Sequence, residues 1–128
     1  RRFNTITVTD GIAMGHQGMK SSLISREVIA DSIELSMRGH CYDALIGFAG
    51  CDKSLPGMMM AMLRLNVPAI FVYGGSILPG SHDGRDVTVK DVFEAVGQYA
   101  AGNCPLKDLI ALEKVACPGH GACGGQYT

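Results

Sequence analysis

The feature that most constrains the fold is a short apolar run, ALIGFA at residues 44–49, between Asp43 and Gly50. An uninterrupted apolar run of this length is typical of a strand that is buried on both faces of a parallel sheet. Pro56 can occupy the first turn of a following helix, which Asn66 and Pro68 would end. A second apolar run, AIFVY, comes next at 69–73. Strand, helix and strand in this order predict parallel pairing with a right-handed crossover.

The segments on either side extend this pattern. Phe3–Thr9 is a β-branched run that predicts a short strand ending at Asp10, and a Gly-rich loop follows it. Apolar residues recur at helical spacing between Ser21 and Met37, with Gly39 where that helix would stop. The predicted fold class is therefore α/β, with a parallel or mostly parallel sheet flanked by helices in three layers.

The carboxyl-terminal half has weaker signals. Residues 79–84 have the composition of a loop. Thr88 and Asp91 resemble a capping box that opens a helix, and a further short helix is predicted over Pro105 to Lys114. Residues 117–125 contain so many Gly and Pro residues that they must form a loop.

Composition excludes several classes of partner. The formal net charge is -1 and no run of Lys or Arg is present, so nucleic acid and anionic membranes are not expected to bind. The apolar runs are too short to span a bilayer. Five cysteines is an odd number, which favours reduced thiols that ligate metal or fill a core, in a reducing cytoplasmic compartment.

Chemically useful side chains follow two of the predicted strands. Asp10 ends the first, and Cys51, Asp52 and Lys53 follow the run at 44–49. A parallel sheet would bring all four residues to one rim, where carboxylates suit Mg²⁺ and a thiolate suits iron or zinc. The alternative is that Asp52 and Lys53 form an exposed pair and that Cys51 is a small buried hydrophobe. Spacing alone leaves both interpretations open.

Five strings along the chain are similar to one known family. They are TVTDGIAMGHQGM at 7–19, SREVIADSIE at 25–34, GCDKSLPGMMMAMLRLNVPAIFVYGG at 50–75, SILPG at 76–80 and ACPGHGACGGQYT at 116–128. Together, and in this order, they resemble the dihydroxy-acid dehydratases, which are iron-sulfur and magnesium enzymes of branched-chain amino-acid synthesis. The resemblance implies part of the amino-terminal domain of a larger enzyme, with the carboxyl-terminal domain outside residues 1–128.

The same resemblance implies roles for five residues. Cys51 and Cys123 would ligate an iron-sulfur cluster, either 2Fe-2S or 4Fe-4S, and a further cysteine ligand would lie upstream. Asp10 and Asp52 would bind Mg²⁺, with Lys53 as a third ligand in its N6-carboxylated form. The family's reaction converts 2,3-dihydroxy acids to 2-keto acids, its base is a serine in the carboxyl-terminal part, and its members are homodimers or homotetramers.

Other interpretations stay open. A sugar-acid dehydratase acting on an aldonate or phosphogluconate is the nearest rival, although GIAMGHQGM favours the branched-chain enzyme. A non-catalytic metal-binding fragment is the alternative from another class. His16 could contact substrate or cluster, or could be a loop histidine satisfied by backbone groups. His120 is a weaker candidate of the same kind. Residues with no expected site role are His40, His82, Cys41, Cys104, Cys117 and the methionines at 58–62.

Overall fold

The computed structural model describes residues 1–120, and the chain divides into two compact units, Arg1–Gly74 and Gly75–Thr128. The first unit contains α1 (Asp10–Ala13), α2 (Met19–Gly39), β1 (Leu45–Ala49), α3 (Ser54–Leu65) and β2 (Ala69–Tyr73). The second contains β3 (Gly80–His82), β4 (Arg85–Val87), α4 (Val89–Ala100) and α5 (Leu106–Val115). The predicted α/β class is confirmed. No helix within residues 1–120 is long and apolar enough to cross a membrane.

The β1-α3-β2 unit has the predicted parallel pairing, in a register that runs from Leu45 opposite Ala69 to Ala49 opposite Tyr73. α3 ends at a left-handed Asn66, whose N–H donates to the carbonyl of Met62. The expectation that β1 is buried on both faces is wrong in the described residues. Burial alternates along the strand because, in the described residues, α3 packs against one of its faces. The apolar side chains left exposed are Ile46, Phe48 and Ile70.

The core of the first unit lies between α2, α3 and β1. Its buried residues are Ile29, Ala30, Ile33, Met37, Leu45, Met58 and Ala61. Gly57 lets α3 approach α2 closely, because a Cβ at that position would lie 2.8 Å from the backbone oxygen of Arg26. This helix contact fixes the position of α3, whose amino-terminal end follows the turn at residues 50–53.

The strand predicted at Phe3–Thr9 is wrong, since no described strand pairs with this segment. Side-chain contacts hold it instead. Phe3 stacks on Tyr42 with 6.5 Å between ring centroids, and the hydroxyls of Thr5 and Ser32 are 2.5 Å apart. β-branched residues favour a pleated, half-buried surface, but a strand also needs a partner with free backbone groups. Here the neighbouring element is the helix α2, whose backbone groups are already hydrogen-bonded within the helix, so only its side chains can contact this segment.

The second unit begins with an antiparallel hairpin, where a loop was predicted over residues 79–84. Asp83 and Gly84 connect β3 to β4 with φ of 50° and 73°. An Asp-Gly pair with both φ angles positive is the preferred two-residue connection between antiparallel strands, so the sequence contained the signal. The prediction of a loop over residues 79–84 is therefore wrong, because two short strands pair on either side of this turn.

The two helices of the second unit agree with prediction. Thr88 and Asp91 form the expected capping box, in which the Thr88 N–H donates to Asp91 Oδ2 at 2.7 Å and the Lys90 N–H donates to Thr88 Oγ1 at 3.3 Å. α4 and α5 pack on the hairpin around Val87, which is fully buried, together with Ala95, Leu109, Leu112 and Ala116.

Candidate metal centre

Cys51, Asp52 and Lys53 follow β1 after one glycine, Gly50, and lead into α3, as predicted. Ser54 fixes the turn, because its Oγ accepts from the Cys51 N–H and donates to the Cys51 carbonyl, both at 3.1 Å. The N–H of Leu55 also donates to that carbonyl, at 2.9 Å. The turn therefore holds the three side chains at the carboxyl end of the parallel pair, where ligands bind in α/β sheets.

Asp10 reaches the site by a route that the sequence did not predict. It is the first residue of α1, a single helical turn, rather than the end of a strand. The residue is 4% exposed, and its Oδ1 accepts a hydrogen bond from the hydroxyl of Ser22 on α2. The position of Asp10 therefore depends on helix packing and not on sheet topology.

Lys53 joins the two aspartates. Its Nζ lies 3.0 Å from Asp10 Oδ2 and 2.9 Å from Asp52 Oδ2, so the amine pairs with a carboxylate 43 positions away in sequence as well as with that of the preceding residue. Only 16% of the Lys53 side chain is exposed. Ion pairs this far from solvent are screened weakly by salt. The structure thus brings together Asp10, Asp52 and Lys53, three of the four residues that the sequence predicted at one rim.

The three charges change one another's protonation. Hydrogen bonding to Asp52, and then to Asp10, raises the pKa of Lys53 above its ordinary value. Burial is the largest cause that raises the pKa of Asp10, and the adjacent Asp52 adds to it. Burial also acts to raise the pKa of Asp52, but hydrogen bonds with Asp10, Lys53 and Cys51 outweigh it, so that pKa lies below its ordinary value. Lys53 is therefore held as an ammonium beside at least one carboxylate.

These residues fit a hard divalent cation. Carboxylate oxygens are the donors that Mg²⁺ prefers, and an ammonium bound between two of them marks a position where positive charge is stabilised. Within residues 1–120, no three His, Cys, Asp or Glu side chains are grouped closely enough to share a metal ion. Asp10 and Asp52 are therefore the two carboxylate donors that the described part of the chain offers at this position.

The fit to an iron-sulfur cluster rests on one described thiol. Cys51 is half-buried, and its Sγ lies 3.4 Å from Asp52 Oδ1. Cys123, the second expected ligand, lies outside the described residues. Cys41 and Cys117 are exposed. A soft donor and a hard donor are thus adjacent in sequence and in space.

Comparison with known proteins identifies the family. A family model described as Dihydroxy-acid/6-phosphogluconate dehydratase N-terminal matches residues 1–128. The chain belongs to this family. The resemblance inferred from the sequence strings is therefore confirmed.

Three dehydratases illustrate the degree of similarity. The dihydroxy-acid dehydratases of Parvibaculum lavamentivorans and Pelagibacter ubique are 77% and 74% identical over 128 residues, all of this chain. The dihydroxy-acid dehydratase of Natronomonas pharaonis is 60% identical over 126 residues, 98% of the chain. The chain spans 22%, 22% and 21% of the lengths of these relatives.

In this dehydratase-family chain, His16 has backbone partners for both ring nitrogens. Nε2 lies 2.8 Å from the carbonyl of Ile12, and the Gly18 N–H donates to Nδ1 at 3.0 Å. A ring nitrogen that accepts from an N–H carries no proton, so Nε2–H is the donor to Ile12. The geometry favours the interpretation of His16 as a loop histidine satisfied by backbone groups over contact with substrate or cluster. His120 is exposed.

Sequence reasoning missed Ser22 and Ser54, two hydroxyls that hydrogen-bond to residues of the candidate metal centre. A signal for Ser22 existed in the helical spacing of α2. Extending the buried positions Ile33 and Ile29 toward the amino terminus by further turns leads to Ser25 and Ser22, which are 2% and 0% exposed. Polar residues that continue an apolar stripe are candidates for buried hydrogen bonds. By contrast Ile24, an apolar residue in the same part of α2, is exposed.

Proposed function

We propose that these residues belong to a dihydroxy-acid dehydratase, a hydro-lyase that converts 2,3-dihydroxy-3-methyl carboxylic acids to 2-keto acids in valine, isoleucine and leucine biosynthesis. The observation that carries the proposal is the meeting of Asp10, Asp52 and Lys53 at the end of β1, in a chain 77% identical to a protein of that name. Because the chain spans 22% of that relative, the activity is proposed for a longer enzyme, in which residues 1–128 form part of the amino-terminal domain.

Asp10 and Asp52 would hold Mg²⁺ in this enzyme, with Lys53 as N6-carboxylysine. To form the carbamate, the Lys53 ammonium first loses a proton to solvent. The lone pair of the neutral amine then forms a bond to the carbon of CO₂ as one C=O π bond breaks, and loss of a second proton from the nitrogen leaves a single negative charge on the new carboxylate. Two features oppose this step in the absence of a cation. Both aspartates raise the pKa of Lys53, and the anionic product would lie beside them. Carboxylation of Lys53 and binding of Mg²⁺ are therefore expected to occur together.

Cys51 and Cys123 would ligate an iron-sulfur cluster, completed by a cysteine outside residues 1–128. When bound, Mg²⁺ would polarise the carboxylate and 2-hydroxyl side of the substrate, and the cluster would supply a Lewis acid for the 3-hydroxyl. Cys51 and Asp52 are adjacent, so their side chains would hold the two groups on neighbouring sides of one substrate. The base that removes the C2 proton would lie elsewhere in the enzyme, which we propose to be a cytoplasmic homo-oligomer.

Substrate choice tests the proposal. Purified full-length protein with its metals should dehydrate 2,3-dihydroxyisovalerate far faster than gluconate, arabinonate or 6-phosphogluconate. Turnover of the sugar acids alone would identify a sugar-acid dehydratase, and binding of metal without turnover of any of them would identify a non-catalytic protein. Asp52→Asn should abolish turnover, while Asp31→Asn, which alters an exposed carboxylate on α2, should have no effect.

A further inference from the structure

The hydroxyl of Ser22 has a partner that a helical serine does not ordinarily have. Ser22 lies in the first turn of α2, is 0% exposed, and donates to Oδ1 of Asp10. Ser25, one turn further along α2 and 2% exposed, donates to the carbonyl of Ser22 at 2.7 Å. Such a bond to the preceding turn is the usual arrangement for serine within a helix. Two buried serines in one helix therefore behave differently, and only Ser22 contacts the candidate metal centre.

The two oxygens of Asp10 have separate partners. Oδ1 accepts from Ser22, and Oδ2 accepts from Lys53 Nζ at 3.0 Å. Since a carboxylate is planar, holding Oδ1 on the side of α2 turns Oδ2 toward Lys53 and Asp52. Without the Ser22 hydroxyl, Oδ1 would lose its partner in a site that is 4% exposed, where an unsatisfied carboxylate oxygen is strongly disfavoured.

We propose that Ser22 is a positioning residue for the metal centre: its hydroxyl orients the Asp10 carboxylate so that Oδ2 faces the position shared with Asp52 and Lys53. This inference rests on the proposed function, because it assigns Asp10 to Mg²⁺. Groups that hydrogen-bond to a metal ligand commonly change metal affinity by 10-fold to 100-fold when they are removed, since they fix the ligand's orientation.

The test measures Mg²⁺ affinity by isothermal titration calorimetry on the full-length protein, with Ser22→Ala and Ser25→Ala as a matched pair. Both changes delete one buried hydroxyl from the same helix. Ser22→Ala should weaken Mg²⁺ binding roughly tenfold or more, and Ser25→Ala should bind as the wild type does. Circular dichroism and thermal midpoints of the metal-free proteins establish that both variants are folded.

A double-variant cycle separates positioning from a structural effect. If Ser22 acts through Asp10, adding Ser22→Ala to Asp10→Asn should weaken Mg²⁺ binding no further, whereas independent effects would add. Should Ser22→Ala fail to fold, Ser22→Cys nearly preserves the volume but offers only a weak donor, and it should also bind Mg²⁺ less tightly.

The outcomes distinguish a failure of the proposed magnesium site from a failure of the proposed role of Ser22. Equal Mg²⁺ affinity in the wild type and Asp10→Asn would overturn the proposed magnesium site itself. A loss in Asp10→Asn together with wild-type affinity in a folded Ser22 variant would leave that site intact and overturn the role of Ser22. Equal losses in Ser22→Ala and Ser25→Ala would also overturn it, since the effect would then belong to α2 in general.

Discussion

Gly57→Ala tests whether the contact between α2 and α3 sets the geometry of the site. Gly57 lies one helical turn after Lys53, and Arg26 lies one turn after Ser22, so their contact is directly behind the site. An added Cβ would lie 2.8 Å from the Arg26 backbone oxygen and 2.9 Å from Ile29 Cγ2. A backbone oxygen inside a helix cannot rotate away. The helices would therefore have to separate by several tenths of an ångström.

Two opposing effects decide whether Gly57→Ala raises or lowers the free energy of unfolding. Replacing a helical glycine by alanine stabilises the helix by about 1 kcal/mol. Inserting a methyl group into a tightly packed contact costs about 1–3 kcal/mol. We therefore expect Gly57→Ala to give a net loss of up to about 2 kcal/mol in unfolding free energy, although the same exchange usually stabilises a helix.

Gly97→Ala in α4 is the matched control. Among residues 1–120, a Cβ there would meet no atom within 4 Å beyond its own helical turn, so only the gain in helix propensity applies and the variant should gain about 1 kcal/mol. Native-state hydrogen exchange of the α3 and α4 amides measures each local change. Equal gains in protection in both variants would refute the claim that Gly57 is needed for close packing. Mg²⁺ affinity should fall in Gly57→Ala alone, because separation of the helices moves Lys53 away from Asp10.

Three further predictions concern the site and the second unit. In the full-length enzyme, Cys51→Ser should remove the visible absorbance of the cluster and Cys41→Ser should spare it; equal loss in both would contradict the ligand assignment. Mass spectrometry under non-denaturing conditions should detect the extra mass of a carboxylate on Lys53 when Mg²⁺ is bound, and removing Mg²⁺ with a chelator should also remove the carboxylate. An unmodified lysine in the Mg²⁺-loaded enzyme would count against the carbamate. The backbone N–H of Thr88, and then Arg85, lower the pKa of Asp91, so its contribution to stability is complete above about pH 4 and is lost as the pH falls through the lowered value. Urea midpoints of the second unit should therefore fall more steeply from pH 5 to pH 2 in the wild type than in Asp91→Asn, and parallel curves would argue against the capping role.

The sequence by itself determined the elements whose signals are local. The strand at 69–73, the capping box of Thr88 and Asp91, and the turn from Cys51 to Lys53 all depend on neighbouring residues, because capping groups and apolar periodicity act over one or two turns. The five strings that resemble the dehydratase family are also a property of the sequence alone, and the match of the family model to residues 1–128 agrees with them.

Only the tertiary structure decided how Asp10 reaches the site. The sequence placed it correctly beside Asp52 and Lys53 but for the wrong reason, since the strand expected before it does not form. A short helix and the hydroxyl of Ser22 hold it instead. Whether a segment pairs as a strand depends on which surface lies beside it, and whether a serine contacts a carboxylate depends on how two helices pack. Neither property is encoded in the spacing of residues along one segment, because both arise from contacts between segments far apart in sequence.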